Sequence, residues 1–315
     1  MPYTLQKLTA MLITIITISF LVFLSFHLIA GDPATKMLGT EATPERLAAL
    51  RAEMGLDAPF FTRYIKWFTA FIALDFGESY SYNMPVSTMI LDKIPITMTL
   101  TFMAFVMIIL IAVPLGIFTA KNADRPLDRL IMIINQIFMS IPPFFAGIIL
   151  TLIFGIIFRV FTPGGYVSYK TDPWQFITYL IFPALALALP RAAMATKLLR
   201  SSIIAEADLD YVRTAHSKGN STNQVLYRHV LKNAMIPIIT FLGMTLAEML
   251  AGSIIIEQVF GIPGIGRILL SSIGNRDYPV VMAIIILITF LVLTINVFVD
   301  IIYGLIDPRI SIVDE

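Results

Sequence analysis

PITMTLTFMAFVMIILIAVPLGIFTA, residues 95–120, carries no Asp, Glu, Lys or Arg. A helix needs about 20 mostly apolar residues to cross the hydrocarbon of a bilayer. This stretch is long enough, and it sets the solvent for the chain. Five others of similar character surround it. LTAMLITIITISFLVFLSFHLIA covers about 8–30, and a run at about 130–160 contains Pro142-Pro143. FITYLIFPALALALPRAAMA covers about 176–195, AMIPIITFLGMTLAEMLAGSIII about 234–256, and VVMAIIILITFLVLTINVFVDIIY about 280–303. The expectation is an all-α membrane protein with six transmembrane helices. The first run is about 23 residues, longer than the 7–15 of a cleaved signal core, so it reads as a retained span.

Composition agrees. The chain of 315 residues is 57% hydrophobic with a net charge of +1, and its mean hydropathy is +0.84. Soluble domains are nearer about 45–50% apolar. The near-zero charge offers nothing to nucleic acid. With no cysteine, disulfide and thiol chemistry are excluded. His27, His216 and His229 are scattered with no metal-ligand spacing, so neither a metal nor another cofactor is expected. No Gly-Lys pair occurs, so GIPGIG at 261–266 is not a phosphate loop.

Orientation follows from Lys and Arg in short loops. Lys121, Arg125 and Arg129 fill one loop, and seven basic residues from Arg191 to Lys232 fill another. Lys7 precedes the first span and Arg309 follows the last. Six spans put all of these on one side. That side is expected to be the cytoplasm, with both termini inside and residues 31–94 outside.

The outer loops have local structure of their own. TPERLAALRAEMG reads as a helix capped by Thr43, started by Pro44 and ended by Gly55. Next, Phe61, Tyr64, Ile65 and Phe68 recur at helical spacing with Trp67 nearby. That element reads either as a packed outer cap or as a surface for a partner or substrate. In the second outer segment, Pro263, Gly264 and Gly266 are expected to force a turn. Arg267, Arg276 and Asp277 belong to the same segment.

Glu248, Asn296 and Asp300 fall inside predicted spans. Intramembrane acids are functional candidates by default, so Glu248 reads either as pathway-lining or as a structural hydrogen bond. Asp300, close to the inner end, reads more simply as an ion pair or a cap. Pro114, Pro142, Pro143, Pro183, Pro190 and Pro237 are expected to interrupt the spans.

The polar segment DYVRTAHSKGNSTNQVLYRHVLKNA, Asp210 to Ala234, interrupts this greasy chain. It reads as two short helices broken at Lys218-Gly219-Asn220. Ser221 and Gln224 form an S-x-x-Q capping box for the second. Val225, Leu226, Val230 and Leu231 make an apolar face, with Arg228, His229 and Lys232 elsewhere on the surface. Spacing alone fits equally an amphipathic loop held by anionic membrane lipid.

The segment resembles the cytoplasmic loop of binding-protein-dependent ABC importer permeases, E-A-A-x3-G-x9-I-x-L-P. Arg213, Thr214 and Ala215 take the first three positions, and Gly219 and Leu231 match. The chain departs from the pattern at Arg213 for Glu, His229 for Ile and Lys232 for Pro. The dipeptide/oligopeptide/nickel branch is closer. DYVRTAHSKG resembles its DYVRTARAKG, and RHVLKNAMIP its RH-L-NA--P. GDPA (31–34), MGLDAPFFTRY, LDFGESY, SIPPFF (140–145), Glu257 to Phe260, PGIGR (263–267), NRDYPV (275–280) and NVFVDIIYGLIDPRI extend the resemblance over nearly the whole chain. The long first outer loop and Asp307-Pro308-Arg309 are similar to the B-type subunit.

That resemblance implies a type I ABC importer permease fold over a single domain, 1–315. Residues 1–30 would hold the first span, 31–94 the outer loop, 95–303 a five-span core with a coupling loop at about 200–232, and 304–315 a cytoplasmic tail. It implies a non-catalytic subunit in a prokaryotic cell membrane. The implied partners are a second homologous permease, two cytoplasmic ATP-binding subunits and an extracytoplasmic solute-binding protein. The coupling residues would be Asp210, Tyr211, Arg213, Thr214, Ala215, Lys218, Gly219, His229, Leu231 and Asn233. The implied cargo is a dipeptide or oligopeptide, with a nickel chelate as the second option. A stand-alone secondary transporter would use Glu248 but leaves the loop unexplained. No nucleophile motif supports a membrane enzyme.

Overall fold

The computed structural model describes residues 3–29, 33–39 and 43–306. Gly31, Asp32 and the closing Asp307-Pro308-Arg309 lie outside them. The described residues are helical throughout their regular structure. In chain order the helices are α1 (Tyr3–Ile29), α2 (Pro33–Leu38), α3 (Pro44–Glu53), α4 (Phe60–Ile72), α5 (Val86–Leu91), α6 (Ile94–Lys121), α7 (Pro126–Ser140) and α8 (Pro143–Leu150). Then follow α9 (Pro173–Ala207), α10 (Asp210–Ser217), α11 (Thr222–Val225), α12 (Leu231–Ala234), α13 (Ile236–Phe260), α14 (Ile265–Gly274) and α15 (Tyr278–Ile306). Among the described residues, five spans are long and apolar enough to cross a bilayer: Gln6–Leu28, Val86–Lys121, Pro173–Ala207, Ile236–Phe260 and Tyr278–Ile301.

The sixth expected span is not one rod. α7 and α8, with the π-helical continuation of α8 over Thr151–Ile157, meet at an angle of 106°. Consecutive prolines explain the break. A proline pushes its predecessor out of the α region, and here this acts twice. Ile141 sits at φ −91°, ψ 121° and Pro142 at φ −59°, ψ 143°. The other prolines do not interrupt helices. α6 runs through Pro114, and α9 continues for 35 residues through Pro183 and Pro190. Pro237 occupies the first turn of α13, where a missing N–H costs nothing.

The chain divides into two compact units. One comprises Met1–Ile96 with Pro263–Leu293, the other Thr97–Ile262 with Thr294–Glu315. In the first, α3 begins as the sequence suggests: Thr43 Oγ1 accepts from Arg46 N, and Gly55 carries φ +64°. The aromatic stripe of α4 is displaced from the expected one. Phe60, Tyr64 and Trp67 pack on Phe23 of α1, with ring centroids 5.4, 5.6 and 5.3 Å away. Phe61 and Ile65 point outward. Spacing alone fits both stripes, and contact with α1 selects one. α4 thus packs one aromatic face on α1 and leaves Phe61 and Ile65 exposed.

Asp277 organises the rest of this unit. It is wholly buried and accepts from the Ser79 hydroxyl, from Tyr80 N at 3.0 Å and from Ser81 N at 3.3 Å. Three donors converge on one carboxylate, which is how a buried charge is made tolerable. The loop closes on itself, with Val86 N donating to Gly77 O at 2.9 Å. Burial beside this carboxylate pushes the Tyr80 phenol up to about 12.

The second unit is built around α9. Its inward face is rich in small residues, with Ala184, Ala186, Ala188, Ala192, Ala193 and Ala195 all buried, so neighbouring helices approach closely. A Cβ on Gly116 would come within 2.8 Å of Leu199, and one on Gly243 within 2.2 Å of Val299. The unit also contains a buried carboxylate, Glu257, which accepts from Thr97 Oγ1 at 2.5 Å.

The connection between α13 and α14 contains Pro263 and Gly264 as expected, and Gly261 besides. Gly261 ends α13 with φ +68°, Gly264 precedes α14, and Gly266 with Arg267 lies inside the first turn of α14. The positive φ falls at Gly261, while Gly264 sits at the bend before α14. Arg276, at φ +53°, reverses the backbone before Asp277.

Candidate functional site

The polar segment after α9 is an ordered element, held by local signals and by two polar contacts, with a third contact tying α9 itself to α7. α10 starts at Asp210 and ends at Ser217, buries Val212 and Ala215, and turns Asp210, Arg213, Thr214 and Ser217 outward. Those four positions follow helical spacing, so α10 presents one continuous polar face. Asp210 and Arg213 are 3.4 Å apart, an exposed i,i+3 pair.

Gly219 then reverses the chain with φ +83°. Its N–H returns to His216 O at 2.9 Å, and Asn220 Nδ2 donates to Ala215 O at 3.0 Å. These satisfy carbonyls that a helix end leaves open. The predicted capping box is present in both directions: Ser221 Oγ accepts from Gln224 N, and Gln224 Oε1 accepts from Ser221 N. The second helix reaches α13 through a π-helical turn, Leu226–Val230, between α11 and α12. Val225, Leu226 and Val230 are buried, Leu231 is half-buried, and Lys218, Arg228, His229 and Lys232 are exposed.

The first contact joins both ends of the segment. Glu206, on the last turn of α9, accepts from Tyr211 OH at 2.7 Å and from Asn233 Nδ2 at 2.9 Å. The amide and the phenol also meet at 3.2 Å. Burial, then the Glu206 carboxylate, pushes the Tyr211 phenol up. In the second contact, Lys121 Nζ donates to Asn223 Oδ1 at 2.9 Å and lies 5.8 Å from the Tyr227 ring. In the third, Arg200 grips Asp128 with two bonds, Nε to Oδ1 at 2.7 Å and a terminal nitrogen to Oδ2 at 2.6 Å. Asp124 N donates to the same carboxylate at 2.9 Å. Bidentate charge-assisted bonds are the strong ones, and they fix the C-terminal part of α9 against the start of α7.

Of the residues singled out in the sequence, Tyr211 and Asn233 belong to this scaffold. Ala215 is buried beneath α10, and Asp210, Arg213, Thr214, Lys218, Gly219 and His229 lie on its surface. Sequence reasoning missed Glu206, Asp128 and the pairing of Arg200. Each looked like an ordinary loop charge. The one available signal was an acid within a turn of each basic loop.

The other candidates lie apart in the sequence and play separate parts. Glu248 is paired with Arg191, 2.6 Å away. Asn296 is exposed and Asp300 half-buried on α15. Pro263, Gly264, Gly266, Arg267, Arg276 and Asp277 shape the first unit, with Asp277 as its buried acceptor. Among the described residues, no group of three or more His, Asp or Glu side chains is placed to hold a metal.

Two known families match stretches of the chain, one of which includes this polar, capped, helix–glycine–helix segment. Residues 112–312 match the binding-protein-dependent transport system inner membrane component family, and residues 1–101 match its membrane component N-terminal family. The chain belongs to this family. It is an inner membrane permease subunit of an ABC transport system.

Among similar permeases is a putative peptide transport system permease protein of Brucella abortus, 34% identical over 306 residues that cover 97% of this chain and 98% of the relative. A probable peptide ABC transporter permease of Sinorhizobium fredii is 33% identical over 98% of each chain. The glutathione transport system permease protein GsiC of Salmonella typhimurium is 35% identical, again over 98% of each. As the family description states, such permeases work in systems that depend on a binding protein.

Proposed function

We propose that this permease forms half of the translocation pathway of an ATP-driven peptide importer, and that α10 couples the pathway to ATP hydrolysis on a partner. Both termini would be cytoplasmic. The pathway would be completed by a second homologous permease, with two ATP-binding subunits beneath and a solute-binding protein above. The similar permeases named for peptides and for glutathione support a peptide cargo over a nickel chelate.

The observation that carries the coupling role is the tie through Glu206. Tyr211 at the start of the segment and Asn233 at its end meet the last turn of α9 at one carboxylate. A displacement of α10 is therefore delivered to α9 and, through α12, to α13. α9 is unbroken for 35 residues, about 52 Å at 1.5 Å per residue. It can carry a small movement at its inner end across the whole bilayer. Closure of the ATP-binding subunits would press on α10, rock α9 and α13, and switch the side to which the pathway opens. Such switching requires contacts that differ between the two states.

The absence of cysteine allows a direct test. Thr214→Cys, on the exposed face, is expected to cross-link to an ATP-binding subunit and to change its yield with nucleotide. Ala215→Cys, on the buried face, is expected to stay unreactive. Mass spectrometry of the complex extracted with an ATP analogue would identify the partners and the binding protein's ligand. Purification of the chain alone under several mild conditions, with no cross-link at position 214, would sink the proposal.

A further inference from the structure

Glu248 is the midpoint of α13, twelve residues from Ile236 and twelve from Phe260. At 1.5 Å per residue it lies about 18 Å from either end. Arg191 is similarly central in α9, eighteen residues after Pro173 and sixteen before Ala207. The side chains are 24% exposed for Arg191 and 59% for Glu248. A carboxylate so exposed in the middle of a long apolar helix is strongly disfavoured against hydrocarbon. Intramembrane acids face a bundle interior or a water-filled cavity.

The surroundings of Glu248 point the same way. Met244, Glu248, Ala251, Ile255 and Gln258 are exposed at steps of four, three, four and three residues, forming one line along α13. On either side Thr245, Ala247, Met249 and Leu250 are buried. A lipid-facing line would be uniformly apolar. This one sets a charge and an amide among a small residue, the branched Ile255 and an adaptable thioether.

Arg191 also has donors to spare. One of its terminal nitrogens meets Glu248 Oε2, while its buried Nε has no hydrogen-bond partner among the described residues. A guanidinium carries five N–H donors in a fork that fits a carboxylate. Glu248 keeps acceptor sites free in turn. The two side chains are thus a complementary pair with capacity left over at both poles.

We propose that Arg191 and Glu248 form a site in the pathway that reads the two ends of a short zwitterionic peptide. Arg191 takes the peptide carboxylate, Glu248 takes its ammonium, and the ligand replaces their direct contact. With no ligand the two charges satisfy each other, so neither is left bare in the membrane. This inference rests on the peptide importer reading above.

The test uses the complete importer in proteoliposomes, with tri-alanine, its C-terminal amide and its N-acetyl form as probes. Uptake by each variant is divided by wild-type uptake of the same probe, which cancels the preference of the binding protein. Arg191→Gln is expected to lower uptake of tri-alanine and N-acetyl-tri-alanine about tenfold or more, leaving the amide within about twofold. Glu248→Gln is expected to lower tri-alanine and the amide by a similar factor and to spare the N-acetyl form. Thermal stabilisation of the assembled complex by each probe should follow the same crossed pattern, and covers any probe that the binding protein refuses. An equal fall for all three probes with assembly intact overturns the proposal in favour of a structural ion pair. Loss of the second permease from the variant complex overturns it in favour of a subunit contact. A wild-type importer that neither moves nor is stabilised by any of the probes overturns the peptide reading itself, a failure distinct from the other two.

Discussion

Gly219 gives a prediction that separates backbone strain from crowding. Its φ is +83°, and a Cβ built there would meet nothing within 4 Å. Any cost of substitution is therefore conformational. An L-residue held in the left-handed region loses about 1–2 kcal/mol, and Asn, which tolerates that region, loses less. The expected order is Asn mildest, Ala and Leu equal to each other, and Val worst because its branched Cβ is the least tolerant. Every 1.4 kcal/mol is a factor of ten. Ala and Leu should therefore lower the ratio of correctly folded to misfolded loop by about five- to thirtyfold relative to glycine. The assay is uptake per ATP hydrolysed by the reconstituted importer, with co-purification of the ATP-binding subunits as the control for assembly. Leu markedly worse than Ala would show that the site is crowded, and the reasoning would fail. Asn as harmful as Val would show that the sign of φ does not matter there.

Other expectations follow from contacts at single residues. Gly243→Leu must displace Val299, whose Cγ1 lies 2.2 Å from the added Cβ. A loss of about 1–3 kcal/mol is expected from such overpacking, read as a lower unfolding temperature in detergent and partly restored by Val299→Ala. Asp277→Ala removes the acceptor of Ser79, Tyr80 N and Ser81 N. Unpaired buried donors cost about 1–3 kcal/mol each, so the loop at 77–86 should become the first site of limited proteolysis. Glu206→Ala should raise amide exchange in both α10 and α12, because it detaches Tyr211 and Asn233 together from α9. Exchange that rises in only one would show that the two ends are not tied. Asp128→Asn should weaken the grip of Arg200 and loosen the start of α7, with Arg200→Lys a poor substitute because a lysine makes no bidentate fork.

Several of these features are legible in the chain itself. The spans follow from length and apolarity, since only a helix of about 20 residues satisfies its own backbone across hydrocarbon. The polar segment is equally local. Gly219, the Ser221–Gln224 box and the apolar Val225, Leu226 and Val230 each act within a few residues, and all recur in the structure. Thr43, Pro44 and Gly55 bound α3 for the same reason.

What required the tertiary structure was the choice among options that local rules leave equal. The pattern of α4 allows Phe61 and Ile65 or Phe60 and Trp67 to face inward, and only the rings on α1 decide. Pro142-Pro143 forces a break, but the angle of 106° depends on where α7 and α8 pack. Glu206, Asp128 and Arg191 resemble unremarkable charges until Asn233, Arg200 and Glu248 arrive from 27, 72 and 57 residues away. Sequence fixes which groups must be satisfied, because desolvation is a property of each residue. Which partner satisfies them is a property of helix packing, and packing is decided by contacts between segments that no local pattern encodes.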